Sequence, residues 1–308
     1  MAGLTDRQRE LRRGRITGSR AAACLGLSRY QTPGDAFCSI VYDTESAGSD
    51  AMDAGELLEA TVLQFGSNRL GCGYDRRNLF RVSDEFDFLA ATLDATLPSR
   101  PDEIMQAKTS GVTHYLDRES LAEWGAEGTD EIPQEYVIQC QHELYVAGAR
   151  INWVPVLIGG AGFRLYRVER NEQLIEVMLN GLVDFYRQHV EPRIMPTDGP
   201  PCLETLKALG RQPGKTVPLD YGLVAAWLEA KTARLAAKEI EDAAQRAMLA
   251  PLGDAEAGEC PEGRLLYIEE SAGKRLEMGK LKAEQPDVYA KYAVQTVRRV
   301  PRFKVNKP

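Results

Sequence analysis

The chain has 308 residues, 44% of them apolar and 27% charged, with a formal net charge of −7. That is an ordinary globular composition, long enough for one large core or a core with a small appendage. The acidic total argues against wholesale nucleic-acid binding, and the absence of any run of about 18 apolar residues argues against a membrane span.

The first fifteen residues, MAGLTDRQRELRRGR, lack the apolar core of a signal peptide. Six cysteines (Cys24, Cys38, Cys72, Cys140, Cys202 and Cys260) are scattered with no CxxC pair. That speaks against a zinc knuckle, an iron–sulfur site or a disulfide framework, and the expected location is the cytoplasm. The charge is uneven, however. Arg7, Arg9, Arg12, Arg13, Arg15 and Arg20 crowd the start against a single Glu10, and Arg298, Arg299, Arg302, Lys304 and Lys307 crowd the end. Local basic patches on an acidic protein still bind phosphate.

In chain order, residues 5–13 read as a short polar helix with Thr5 as its cap. Ser19 is placed to cap a helix through Arg20–Leu25, and with Gly18 before it and arginines around it this start is a candidate anion site. Gly34–Tyr42 reads as a helix, Asp43–Asp50 as a polar linker, and Gly55–Leu70 as a helix with Leu58, Val62 and Phe65 along its core stripe. Glu59 borders that stripe, and an inward carboxylate is costly unless a cation or a basic side chain pairs with it.

Asn78–Val82, Phe86–Leu93 and Ile104–Thr109 read as a strand meander. Asp94 ends the second run. Alternation puts Ile104, Gln106 and Lys108 on one face of the third. Thr113–Trp124 reads as helix and loop, and Pro133 opens a helix over Gln134–Ala147 that Gly148 closes. Gln134, Ile138, Gln141 and Tyr145 share one side of it, beside an apolar stripe of Val137, Cys140 and Leu144. Gln139 and Gln141 on so apolar a helix need partners, either backbone groups or a nucleic-acid backbone.

Ile151–Ile158 and Phe163–Glu169 read as a hairpin across GGAG, which is no phosphate loop because no helix follows it. Asn171 caps a helix to about Val190, ended by Pro192. A linker at 196–202 then separates a core, 1–195, from an α+β appendage, 203–308. In the appendage Asp220 caps a long helix to about Leu249, with Leu223, Trp227 and Leu235 on its apolar side. A hairpin of Leu265–Glu269 and Arg275–Met278, a helix from Pro286 and the basic tail complete it.

The order of helix acid (Glu59), strand aspartate (Asp94), strand QAK (Gln106, Ala107, Lys108) and helix glutamine is more specific than any of its parts. It resembles the PD-(D/E)xK nuclease core, and within it the YqaJ-type viral recombinases related to lambda exonuclease. RITGSRAAACLGLSRY, GELLEATVLQF, LAATLDA, QAKTS, IPQEYVIQCQHELYVAG and VLIGGAGFRLYRVERNEQLI look like successive phrases of that family, from about Arg12 to Pro192. The end of the chain, with PDVYAKY and RRVPRFKV, looks like the tail of longer phage members.

The resemblance implies an α/β restriction-endonuclease-like core, a mixed central sheet flanked by helices. It implies a metal-dependent 5′→3′ exonuclease on linear double-stranded DNA, exposing a 3′ strand for a single-strand annealing partner. By that resemblance Asp94 and Glu59 would hold Mg²⁺ (with Mn²⁺ as a substitute), as two ions, with Gln106 and the carbonyl of Ala107 also facing metal. Lys108 would orient the attacking water, Gln141, Gln139 and Tyr145 would support water or DNA, and Arg12 and Ser19 would grip the 5′-phosphate. A homotrimeric ring is implied too, and no membrane partner.

Gln106 is the departure, because the family places an acid there and hard cations select for charge. Three readings of it stand: a working variant, a variant that has lost activity, and a Glu→Gln change made to trap substrate. The rival functions are an endonuclease of the same superfamily and a DNA-end-binding protein with weakened catalysis.

Overall fold

The computed structural model describes residues 6–44, 49–75, 79–111, 118–268 and 277–293. The expected cap at Thr5 and the basic tail from Arg298 lie outside them. By contacts the chain divides into two compact units, 1–211 and 212–308.

The first unit opens with α1 (Asp6–Arg12), β1 (Ile16–Thr17), α2 (Gly18–Cys24), α3 (Pro33–Val41) and α4 (Asp50–Leu70). Local chemistry sets these boundaries. Thr32 and Asp35 form a reciprocal capping box around Pro33, so α3 starts there rather than at Gly34. Ser49 accepts the amide of Met52, so α4 starts earlier than its apolar stripe suggests. Ser19 is not a cap. β1 runs straight into α2, so the N-cap falls on Thr17, which makes no side-chain capping bond.

Next come β2 (Leu79–Val82), β3 (Leu89–Leu93), β4 (Ala95–Thr96), β5 (Glu103–Met105) and β6 (Lys108–Ser110), then α5 (Arg118–Ala122) and α6 (Gln134–Ala147). β7 (Ile151–Ile158) and β8 (Gly162–Glu169) form the expected hairpin. α7 (Glu172–Phe185), capped by Asn171, widens into a π turn at Tyr186–Val190, and α8 (Leu203–Ala208) ends the unit.

The strands do not form a meander. β3 lies between β1, parallel to it, and β2, antiparallel. Past Asp94 the same run changes sheet, and β4 pairs with β5 in a second, five-stranded mixed sheet centred on β7. β5 and β6 are one strand along β7 with no slip in register, Glu103 opposite Ile151 and Lys108 opposite Val156. The ladder breaks between them, at Gln106 and Ala107, because Pro155 on β7 has no N–H to donate to the Gln106 carbonyl; the Ala107 amide, on the other side of the strand, donates to Asp94 Oδ2 at 3.0 Å. Two mixed sheets thus fork at Asp94.

Helices flank the sheets. α2, α6 and α7 enclose the main core, where Ile16, Leu89, Ile104, Leu144, Val156 and Leu182 are buried. α4 covers β6, β7 and β8 from elsewhere and seats Leu63 in a smaller cluster with Ala95, Leu97 and Met105. Ile104 in one cluster and Met105 in the other show the strand alternation expected for this run. Gly66 permits the α4 contact, since a Cβ there would lie 2.7 Å from Met105 Sδ and 3.0 Å from Pro155.

Pro196–Cys202 is not a free linker. Gly34 N–H donates to Gly199 O, Thr32 Oγ1 to Pro200 O, and the Cys202 amide to Asp35 Oδ1. Leu209 is buried in the main core, which is why the unit extends to Arg211. The second unit contains α9 (Tyr221–Leu249), capped by Asp220, a hairpin of β9 (Ala257–Cys260) and β10 (Gly263–Leu266), α10 (Met278–Glu284) and α11 (Pro286–Tyr292). This hairpin precedes the expected one at Leu265–Met278, most of which lies outside the described residues. No helix among the described residues is long and apolar enough to cross a membrane.

His142 on α6 is fully buried, and neither ring nitrogen has a partner among the described residues. Burial holds its pKa down to about 4 from 6.5, so the neutral ring is the folded form. Between those values the unfolded chain binds a proton that the folded one refuses. Stability is therefore complete above about pH 6.5 and is lost by up to about 3 kcal/mol as pH falls to about 4. Half-buried Asp94 and buried Glu143 are shifted upward and act in the opposite sense, so the effect is read as a difference between proteins. His142→Leu should gain on the wild type in denaturant midpoint steadily from pH 7 to pH 4; a pH-independent difference would refute this.

Candidate active site

Asp94 sits at the fork of the two sheets. Burial pushes its pKa up to about 7; Lys108 and the Ala107 amide pull it down, while Glu143 and Glu59 push it further up. Those influences locate the groups around it: one cation, two more carboxylates and the broken strand. Glu59, on α4, is half-buried, as the sequence suggests. Lys108 opens β6. Its ammonium donates to Gln139 Oε1 at 2.9 Å and stands 5.0 Å from the centre of the Tyr136 ring. Both partners come from α6, so that helix holds the lysine over the fork.

Gln106 is 6% exposed, and its backbone amide stays on β7 through Trp153 O at 2.8 Å. Its side-chain oxygen is buried without a hydrogen-bond partner among the described residues. An orphaned acceptor costs about 1–3 kcal/mol, so this atom suits a missing donor or cation.

The basic start converges on the same place. Arg12 Nη2 donates to Thr17 Oγ1 and Ser19 Oγ, both at 3.2 Å, and the two hydroxyls are 3.4 Å apart. Burial and neighbouring Arg20 lower the Arg12 pKa to about 10, while Asp94 raises it. Arg12 enters no ion pair among the described residues, so its positive charge stays available to an anion. Gly18 joins this cluster to α6: a Cβ there would fall 2.9 Å from Glu143 Oε1 and 3.3 Å from Gln139 Cγ.

Two expected site residues are employed elsewhere. Gln141 donates to Glu169 O at 2.8 Å and accepts the Asn171 amide at 3.0 Å, fastening the turn into α7. The Tyr145 hydroxyl donates to Glu85 Oε2 and accepts from Ser83 Oγ. The residues not foreseen are Thr17, Tyr136, Asn152 and above all Glu143. Glu143 is 2% exposed, its carboxylate accepting from Gln139 Nε2 at 2.8 Å and Asn152 Nδ2 at 3.0 Å. A carboxylate in the middle of an apolar helix, four residues after Gln139, was the available signal.

The ligands expected from the sequence are all oxygens: the carboxylates of Asp94 and Glu59, the Gln106 amide and the Ala107 carbonyl. That set suits a hard divalent cation. Among the described residues no three His, Cys, Asp or Glu side chains form a cation site by themselves, so amide and carbonyl oxygens would have to take part.

Residues 9–150, which contain this arrangement except for Asn152, match the model of the YqaJ-like viral recombinase domain. The YqaJ protein of Bacillus subtilis (strain 168) is 30% identical over 183 residues, covering 58% of this chain and 54% of its own. The chain therefore spans about half the length of that relative. Among solved structures, an alkaline exonuclease from Laribacter hongkongensis is similar over 62% of this chain and 94% of its own, at 15% identity and a TM-score of 0.48. A phage-related exonuclease from Haemophilus somnus 129PT is similar over 61% and 83%, at 16% identity and a TM-score of 0.38.

Proposed function

We propose that the chain is a metal-dependent nuclease that digests one strand of linear double-stranded DNA from its 5′ end. The observation that carries the reading is the convergence of Asp94, Lys108 and the Arg12–Thr17–Ser19 cluster at the sheet fork of a YqaJ-like viral recombinase domain. The exposed 3′ strand would pass to a single-strand annealing protein, and a homotrimeric ring would let an acidic chain enclose DNA within a basic channel. The neutral Gln106 supports a second reading, an end-binding protein with weakened catalysis.

Each residue has a task in the first reading. Asp94 and Glu59, with Gln106 Oε1 and the Ala107 carbonyl, would hold Mg²⁺ or Mn²⁺. When bound, the cations would supply an activated water and neutralise charge at the scissile phosphate. Lys108, held by Gln139 and Tyr136, would orient that water. Arg12, with the hydroxyls of Thr17 and Ser19, would bind the terminal 5′-phosphate through charge-assisted hydrogen bonds.

The test is digestion of linear duplexes with 5′-phosphate or 5′-hydroxyl ends, beside a closed circle, in Mg²⁺ or Mn²⁺. Linear ends should be consumed and the circle spared, and cutting of the circle would overturn end-directed digestion. Arg12→Ala should reduce the preference for phosphorylated ends about tenfold, in line with about 1.5–3 kcal/mol for a hydrogen bond to a charged group. An unchanged preference would remove Arg12 from the phosphate pocket.

A further inference from the structure

We propose that Glu143 is a positioning residue of this site: its buried carboxylate fixes the Gln139 amide and, through it, the ammonium of Lys108. The inference rests on the nuclease reading above and extends it to a residue inside the core.

The argument is one of hydrogen-bond direction. An ionised carboxylate only accepts, and an amide has one donating end and one accepting end. Both Glu143 oxygens are taken by amide NH₂ groups, from Gln139 at 2.8 Å and from Asn152 at 3.0 Å. With its NH₂ held this way, Gln139 must present its carbonyl oxygen to Lys108, and it does so at 2.9 Å. Gln139 and Glu143 stand at i and i+4 on α6, where side chains meet, while Asn152 reaches the same carboxylate from β7. Two elements, α6 and β7, therefore converge to orient one amide.

An ionised carboxylate at this depth is expensive unless it is paired and fully hydrogen-bonded. Burial shifts the Glu143 pKa upward, and the charge of Lys108 with the hydrogen bonds from Gln139 and Asn152 oppose that by favouring the ionised form. Gly18 closes the remaining side, because any Cβ there would strike Glu143 Oε1. A residue serving packing alone would be satisfied by an apolar side chain of the same length. The chain instead keeps a charge whose hydrogen bonds end on Lys108.

The experiment uses the full chain and the variants Glu143→Gln, Gln139→Ala and their double. A glutamine at 143 offers one acceptor oxygen where two are needed, so the Gln139 amide loses its fixed direction. On linear duplex, Glu143→Gln should lower kcat about 10–100-fold, as loss of an orienting partner commonly does, with KM within about twofold. Its melting temperature should fall by a few degrees, since one buried amide NH₂ is left without an acceptor and Lys108 without its counter-charge. The double variant should be no slower than Gln139→Ala, because the two residues act in series.

In the metal-free protein, Lys108 should be acylated several-fold faster in Glu143→Gln, read by peptide mass spectrometry. A folded Glu143→Gln with unchanged kcat, or losses that multiply in the double variant, would overturn the proposal. If the wild type digests nothing, the nuclease reading fails by itself, and the acylation measurement still decides the arrangement: unchanged labelling refutes it. Should Glu143→Gln not fold, Glu143→Met replaces it with the same expectations for kcat and labelling.

Discussion

Asp94→Asn is expected to abolish digestion of linear duplex DNA, by about a thousandfold or more, while leaving the protein folded and bound to DNA ends. A carboxylate that ligates a catalytic cation contributes several kcal/mol of charge stabilisation in the transition state, and each 1.36 kcal/mol is tenfold in rate. Asparagine keeps an oxygen for the Ala107 amide, so the bond that ties Asp94 to the neighbouring strand survives. It also removes a half-buried negative charge that Glu143 and Glu59 repel. Melting temperature in metal-free buffer should therefore hold or rise as activity disappears. That opposition marks a group kept for chemistry at a cost in stability. Digestion on gels, end binding by fluorescence polarisation and calorimetry on the same preparation are sufficient. Wild-type digestion by the folded variant would remove Asp94 from the reaction. A large loss of stability would make it a structural residue.

Much of the fold was legible because its boundaries are local. Asn171, Asp220 and Gly148 terminate their helices as their side chains or backbone freedom dictate, and the β7–β8 hairpin follows from its turn. Strand partners were not legible. Alternation shows that Ile104–Lys108 is extended, but nothing local says that it pairs with β7 rather than with the run before it. The linker at Pro196–Cys202 had the right composition and the wrong surroundings, since its hydrogen bonds go to Thr32, Gly34 and Asp35, far away in sequence.

The site divides in the same way. Asp94 and Lys108 stood out as polar groups on strand runs, Ser19 as a helix cap that it is not, and Arg12 only through the family resemblance; the fold brings them together. The two glutamines of α6 show where sequence stops. Residues two apart on a helix of 3.6 residues per turn point about 160–200° from each other, so only one of the pair can meet Lys108. The structure selects Gln139, with Glu143 one turn on, and gives Gln141 to the backbone of β8 and α7. Glu143 was hidden because α6 is buried on several sides, and on such a helix no polar position is excluded by periodicity.

Gln106→Glu should have opposite effects with and without a divalent cation. In metal-free buffer it adds a negative charge at a position 6% exposed, one residue from the amide that binds Asp94. Burying an unpaired charge near other carboxylates costs several kcal/mol. At about 2–4 °C per kcal/mol for a domain of this size, the metal-free melting temperature should fall by roughly 5–10 °C. Mg²⁺ or Mn²⁺ should then restore it, because a ligand that binds only the folded state stabilises by RT ln(1 + [L]/Kd), and a charged oxygen in place of an amide lowers Kd. The cation-induced shift should exceed that of the wild type, and digestion should accelerate about tenfold. Equal cation-induced shifts in the two proteins would show that position 106 faces no metal, leaving its orphaned oxygen to water. A larger shift without any digestion would favour the end-binding reading. A larger shift with faster digestion would make the amide at 106 the feature that limits an otherwise complete nuclease site.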